Sequence, residues 1–108
     1  MAWKKNAPEA IRRFDELAAV PGATRKMMFG CPVYELGGKR YALLHGNRVV
    51  LALSPEHTAK LIERGGRPWE PMKGRRSKDK VVVPEAIAES VRSLRVWVQR
   101  AVQHAQSA

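Results

Sequence analysis

The sequence contains little cysteine and no long apolar run. Its single cysteine, Cys31, excludes an internal disulfide framework and a cysteine-rich zinc module. No apolar stretch approaches the roughly 20 residues that a membrane-spanning helix needs. No apolar run follows the basic residues Lys4 and Lys5, so the sequence predicts no secretory signal and a cytoplasmic location.

Acidic residues are also scarce. The 108 residues include 10 Asp and Glu against 20 Lys and Arg, which gives a formal net charge of +10. A charge of this size favours weak association with polyanions such as nucleic acids. Because 44% of the residues are apolar, the composition is that of a globular chain rather than a disordered one. The length fits a single domain over residues 1–108.

Proline and glycine divide the chain into segments. The first helix is predicted from Pro8 to about Ala19, and the last one follows Ser90, which can cap it. Gly37-Gly38 and Gly46-Asn47 are two-residue turn signals between predicted strands. The element order is α-β(3-4)-α-β(2)-α. It predicts a two-layer α+β fold, with an antiparallel meander sheet and the helices packed on one face.

The turns also predict which side chains share a face of the sheet. A two-residue loop at Gly37-Gly38 pairs Leu36 with Lys39, and side chains then alternate along each strand. The more aliphatic face, predicted to carry the helices, contains Cys31, Val33, Ala42, Leu44, Val49, Leu51 and Leu53. The opposite face, predicted to be only partly covered, contains Pro32, Tyr34, Tyr41, Leu43, Val50 and Ala52.

Tyr34 and Tyr41 are predicted to lie opposite each other on this second face. We interpret them as a protein-binding surface, with a homodimer as one arrangement. Packing under a terminal segment that includes Trp3 is a comparable alternative. Stacking on RNA bases is disfavoured, because the cluster of aromatics among glycines that is typical of RNA-binding sheets is absent.

No pattern of catalytic residues is found. The predicted register places Cys31 and His45 on opposite faces of the sheet, so Cys31 is expected to be buried and inert. The histidines His45, His57 and His104 have none of the spacings typical of metal ligands. The sequence therefore predicts a protein that is not an enzyme and that has no cofactor or metal site.

A basic loop from Lys73 to Lys80 is the strongest charge cluster. Its five cations are Lys73, Arg75, Arg76, Lys78 and Lys80. Five phosphate contacts would give a slope of about −4.5 in log K against log salt. The alternative is a solvated loop kept mobile by self-repulsion. No helix is expected to concentrate Arg, Asn and Gln on one face, so sequence-specific readout is not predicted.

Several segments resemble the N-terminal domain of the TfoX/Sxy family. They are Lys26–Tyr34, Tyr41–Leu44, His45–Leu51, Pro68–Met72 and Val81–Pro84. The resemblance runs from about Thr24 to His104. It implies a two-layer α+β fold and a relation to bacterial regulators of competence for DNA uptake. Those regulators act with a cyclic-AMP-responsive transcription factor and generally have a second, C-terminal domain, which this sequence is expected to lack.

The resemblance offers no catalytic residues. Met28, Phe29 and Gly30 match the family motif, and their physical interpretation is core and turn. The sequence thus predicts a non-enzymatic, cytoplasmic accessory or regulatory protein. It would act through contact with a protein partner, such as a transcription factor. The alternative is a nucleic-acid-binding module that uses the basic loop.

Overall fold

A six-stranded antiparallel sheet forms the centre of the structure, a computed structural model that describes residues 5–107. Trp3, which the sequence offered as a cover for the tyrosines, lies outside these residues. The strands lie in the order β1-β2-β3-β4-β6-β5. Their bounds are β1 Thr24–Met28, β2 Cys31–Leu36, β3 Lys39–His45, β4 Arg48–Ala52, β5 Arg67–Pro68 and β6 Lys80–Val82.

The helices begin where proline and serine predict them to begin. Their bounds are α1 Pro8–Ala18, α2 Pro55–Glu63, α3 Glu85–Ala88 and α4 Val91–Gln106. The Ser54 hydroxyl accepts a hydrogen bond from the His57 amide at 3.2 Å, and the Ser90 hydroxyl accepts one from the Ser93 amide at 3.2 Å. These contacts satisfy amides that the first turn of a helix leaves without a partner. The two-layer α+β prediction is confirmed.

All the buried helical side chains pack on one face of the sheet. The buried helical residues in this main core are Phe14, Leu17, Ala18, Leu61, Leu94, Trp97, Val98, Ala101 and Val102. The predicted sheet residues Ala42, Leu44, Val49, Leu51 and Leu53 lie in the same core. A second, smaller cluster on the other face contains Val33, Leu43, Val50 and Trp69.

Three hairpins share one turn geometry. Both central residues have positive φ in Gly37-Gly38 (57° and 80°), in Gly46-Asn47 (56° and 63°) and in Phe29-Gly30 (51° and 81°). This geometry follows the twist of the flanking strands and favours Gly and Asn. Phe29 is therefore unusual, because a bulky residue adopts a positive φ only with strain.

An irregularity in the β2–β3 register changes the predicted faces. Glu35 pairs with Arg40 as expected, but Tyr34 pairs with Ala42, so Tyr41 is an extra residue in β3. Beyond this bulge the side chains of β2 point to the face opposite to the one predicted. Tyr34 and Tyr41 both join the main core, whereas Val33 joins the small cluster. The predictions that placed the tyrosines on the open face and Val33 under the helices are wrong.

The same bulge affects Cys31 and His45. Val33 pairs with Leu43, and continuing this register two residues along each strand brings Cys31 opposite His45. Residues that oppose each other across two strands lie on the same face. The prediction that Cys31 and His45 lie on opposite faces is therefore wrong, because a two-residue turn fixes the pairing only as far as the first bulge.

Candidate functional site

Tyr34 and Tyr41, the predicted protein-binding pair, are buried. Their exposed fractions are 4% and 0%. The Tyr34 hydroxyl donates to the Asp15 carboxylate at 2.7 Å, and the Tyr41 hydroxyl donates to the Ala18 carbonyl oxygen at 2.6 Å. Both acceptors belong to α1. The tyrosines therefore attach α1 to the sheet, and the prediction that they form an exposed interface is wrong.

Burial sets the ionisation of these two phenols. Removal from water raises the pKa of Tyr34 to about 12, and its hydrogen bond with Asp15 adds to the increase. Burial likewise raises the pKa of Tyr41 to about 12, with a smaller contribution from Tyr34. Both phenols stay neutral at physiological pH, as expected for side chains that serve as hydrogen-bond donors inside a core.

Cys31 is fully buried, as predicted from the sequence. Burial raises the pKa of its thiol, which lowers the fraction of thiolate at neutral pH. His45 lies edge-on to Trp69, with the ring centroids 5.6 Å apart. Burial thus works against a nucleophilic thiol, even though the register brings Cys31 and His45 to one face.

The basic loop is held by backbone hydrogen bonds. The Ser77 amide donates to the Trp69 carbonyl oxygen at 2.7 Å, and the Trp69 amide donates to the Lys80 carbonyl oxygen at 2.9 Å. The Arg75 amide closes a turn onto the Met72 carbonyl oxygen at 2.9 Å. These three hydrogen bonds hold the ends of the loop and one turn within it.

The five cations of the loop differ in their surroundings. Arg76 is exposed and lies 3.8 Å from Glu70. Lys80 is the first residue of β6, is half-buried and lies 3.5 Å from Asp79. Lys73, Arg75 and Lys78 are exposed and take part in none of the ion pairs found within residues 5–107. Four side chains thus face solvent, and Lys80 is set apart from them.

A charged cleft lies between the start of β3, the start of β6 and the end of α4. Its lining includes Lys39, Arg40, Lys80 and His104, together with the buried carboxylate of Glu35. Glu35 lies 3.1 Å from the Lys26 ammonium and 3.4 Å from the Arg40 guanidinium. The hydrogen bond from Lys26, followed by the interactions with Arg40, lowers the pKa of Glu35 although its burial opposes this. Glu35 therefore remains ionised and neutralises part of the cleft.

The sequence interpretation of the β1–β2 hairpin tip as core and turn is confirmed for the turn and in part for Met28, but it is wrong for Phe29. Phe29 is 74% exposed and Met27 is 51% exposed, so two large apolar side chains lie in solvent at one turn. Met28, between them, packs partly on the small cluster. The combination of turn geometry and exposure was missed because a Phe-Gly pair is not a usual signal for this turn.

Two classes of site are absent from the described part of the chain. No three His, Cys, Asp or Glu side chains among residues 5–107 are grouped so that they could hold a metal ion. In the same residues no helix combines the length and apolar character that a membrane crossing requires.

Comparison with known proteins identifies one protein-family model that matches the chain. The model describes the TfoX N-terminal domain and matches residues 15–105, which is most of the 108-residue chain. The match begins at Asp15, the residue that accepts the Tyr34 hydrogen bond, and ends within α4. No curated protein matches the chain.

Proposed function

Because the chain belongs to the TfoX N-terminal domain family, we propose that it is a non-enzymatic accessory protein that regulates transcription by binding a protein partner. The proposed partner is a transcription factor. The proposal includes a cytoplasmic location, because the competence regulators that the sequence resembles act on transcription there. The contact surface is the hairpin tip formed by Met27, Phe29 and Gly30.

The observation that carries this proposal is the exposure of Phe29 at a positive φ. Its side chain is 74% exposed, and its φ of 51° is a conformation that bulky residues rarely adopt. Strained backbone that is retained in a fold is concentrated at binding and switch sites. An apolar ring that is 74% exposed at the end of a hairpin is the kind of surface that a protein partner can cover.

The surroundings of the tip favour a protein pocket as its target. Met27, two residues before the phenylalanine, is 51% exposed and has a flexible, polarisable side chain that adapts to the shape of a partner. Two ion pairs hold β1 below the tip: Arg25 with Asp15 at 2.9 Å and Lys26 with Glu35 at 3.1 Å. A small apolar tip on a fixed strand fits the anchor-in-pocket pattern of protein interfaces.

The test is complementation in cells of the source organism from which the gene has been deleted. Transcript levels are measured across the genome after the return of wild type, Phe29→Asn or Ile62→Asn. Ile62 is a matched control because it is 41% exposed and lies in α2, away from the tip. We expect wild type and Ile62→Asn to restore the transcript profile, and Phe29→Asn to fail at equal protein level. Full restoration by Phe29→Asn would contradict the proposal.

A second candidate function is binding of nucleic acid through the basic loop. It is favoured by the defined path of the loop, which presents Lys73, Arg75, Arg76 and Lys78 to solvent on an ordered backbone. Cations held on ordered backbone lose less freedom when they contact phosphates than cations on a mobile segment. The expected contribution is affinity without sequence preference.

The basic loop is tested by binding to double-stranded DNA over a range of salt concentrations. Replacing both Arg75 and Arg76 with Ala should reduce the slope of log K against log salt by about 1.8. The double variant Arg12→Ala, Lys60→Ala removes the same charge from exposed positions on α1 and α2 and should change the slope less. If wild type binds no DNA at low salt, this candidate is excluded.

A further inference from the structure

The outward face of α4 carries a row of arginine and glutamine side chains. Its exposed residues between positions 92 and 106 are Arg92, Arg95, Val96, Gln99, Gln103 and Gln106. At about 100° per residue, all six fall within an arc of about 100° on the helix. The sequence did not lead us to expect such a face. The prediction that no helix concentrates Arg, Asn and Gln on one face is wrong, because the polar side of α4 repeats at the same helical spacing as its apolar side.

The opposite face of α4 fixes the orientation of this row. Leu94, Trp97, Val98, Ala101 and Val102 are all buried against the sheet and α1. The apolar side of the helix is therefore used within the fold, and it cannot enter a lipid surface. What α4 presents to a partner is its Arg and Gln side.

The charge of this face is of one sign. The helix contains three arginines and no Asp or Glu between Val91 and Gln106. None of the ion pairs within residues 5–107 involves an arginine of α4. The Arg100 guanidinium lies 4.5 Å from the centre of the Trp97 ring, which holds it at the side of the row. An anionic partner could therefore contact these arginines without first breaking an ion pair within the protein.

The Arg and Gln side chains of this row match the chemistry of one anion in particular, double-stranded DNA. Arg contacts guanine and Gln contacts adenine through paired hydrogen bonds in the major groove of DNA. That groove is about 12 Å wide and accepts an α-helix. The row extends for about 21 Å along α4, which is long enough for several consecutive base pairs. An acidic protein surface would also pair with the arginines, but it offers the three glutamines no comparable paired hydrogen bonds.

Two lysines lie near the carboxyl end of the helix. His104 and Ser107 line the charged cleft together with Lys39 and Lys80. The Lys39 ammonium donates to the Ser107 carbonyl oxygen at 2.9 Å. Glu35 and Asp79 line the same cleft, so its lysines add only a partly neutralised positive charge beside the end of α4.

We propose that α4 is a DNA-reading helix that places Arg92, Arg95, Gln99 and Gln103 in the major groove of double-stranded DNA. This inference goes beyond the protein contact at the hairpin tip and beyond the basic loop, because it concerns another surface and includes sequence preference. Together the surfaces would let one domain contact a transcription factor and the DNA beside it.

The test uses the full-length protein and a pool of DNA duplexes with a randomised centre. Duplexes retained by wild type are sequenced over successive rounds, and the affinity for the enriched sequence is then measured. We expect wild type to enrich a short motif, and Gln99→Ala with Gln103→Ala to lose about ten-fold in affinity for it. The salt slope of this double variant should stay unchanged, because no charge is removed. Arg95→Ala should weaken binding and relax the base preference at one position of the motif.

The controls separate α4 from the other surfaces. Lys60→Ala removes a charge from an exposed position of α2 and should keep the motif and most of the affinity. The double variant Arg75→Ala, Arg76→Ala should bind less tightly but enrich the same motif. Circular dichroism checks that each variant is folded. We expect every variant to fold, because all the substituted positions are exposed.

Three results would overturn the proposal. They are enrichment of no motif by wild type, equal affinity for single-stranded DNA or polyglutamate of the same charge, and an unchanged motif affinity in the glutamine variant. Each of these leaves the hairpin-tip contact standing, because that contact is measured by transcript restoration with Phe29→Asn. Failure of Phe29→Asn to affect transcripts would leave a motif read by α4 equally intact.

Discussion

The tyrosine pair and the hairpin tip carry aromatic side chains with opposite fates. Tyr34 and Tyr41 are 4% and 0% exposed, and their hydroxyls hold α1 on the sheet. Phe29 is 74% exposed and lies at a turn where its backbone is strained. A bulge in β3 buries the first pair, and a two-residue turn exposes the second site.

The difference lies in what each kind of aromatic side chain can contribute at its position. A tyrosine combines an apolar ring with a donor, so it can fill a core and bind a helix at the same time. Phenylalanine has no such polar group, and the ring of Phe29 remains largely exposed at the tip. The inner pair is expected to matter for stability, and the outer residue for contact with a partner.

Removal of the Tyr41 ring should have the largest effect on stability. Tyr41→Ala leaves a cavity in the core and removes the hydrogen bond to Ala18, so we expect a loss of about 3–5 kcal/mol in the free energy of unfolding. Tyr41→Phe keeps the ring and should cost only about 1 kcal/mol. Denaturant unfolding measures both. A loss below 1 kcal/mol for the alanine variant would contradict the structural role of this side chain.

Alkaline titration should show that both tyrosines are buried in the core. The chain has two tyrosines, so phenolate absorbance reports on this pair alone. We expect titration near pH 12 in the native protein and near pH 10 in denaturant, because burial raises both pKa values to about 12. The folded state then holds its protons more tightly, so stability should fall as the pH rises from about 10 to 12. Native titration of either phenol near pH 10 would contradict its burial.

Low pH should destabilise the folded protein through protonation of Glu35 in β2. Its pKa is lowered from 4.5 by the hydrogen bond from Lys26 and by Arg40, so its stabilisation is present above about pH 4.5 and is lost as the pH falls through the folded value. Glu35→Gln should therefore reduce the acid dependence of the free energy of unfolding. The exposed residue Glu63 provides the matched control, Glu63→Gln. Identical acid profiles for wild type and Glu35→Gln would contradict the ion-pair account.

Much of the fold follows from local signals in the sequence. The bounds of β2 and β3, the starts of α1 and α2 and the cap at Ser90 follow from turn residues, prolines and serines. The bulge at Tyr41 could not be predicted in this way, because a local turn signal carries no information about where a ladder slips by one residue. That single slip exchanged the faces of Val33 and Tyr34 and brought Cys31 opposite His45.

The functional surfaces were harder to predict than the fold. The basic loop was visible as a run of charge, but its backbone path depends on hydrogen bonds to Trp69 and Met72, which precede it. The row on α4 is present in the spacing of Arg95, Gln99 and Gln103, beside the more prominent apolar stripe of the same helix. Phe29 could not be placed outside the core by hydropathy, because only the turn geometry exposes it.

The most direct test of the account measures the free energy of unfolding of Phe29→Asn relative to wild type. Asparagine tolerates a positive φ better than phenylalanine does. If Phe29 is kept for contact outside the chain, the substitution should stabilise the protein by about 0.5–1 kcal/mol. A loss of 1 kcal/mol or more would show that Phe29 supports this fold from within, and it would contradict the claim that the hairpin tip is a partner-binding surface.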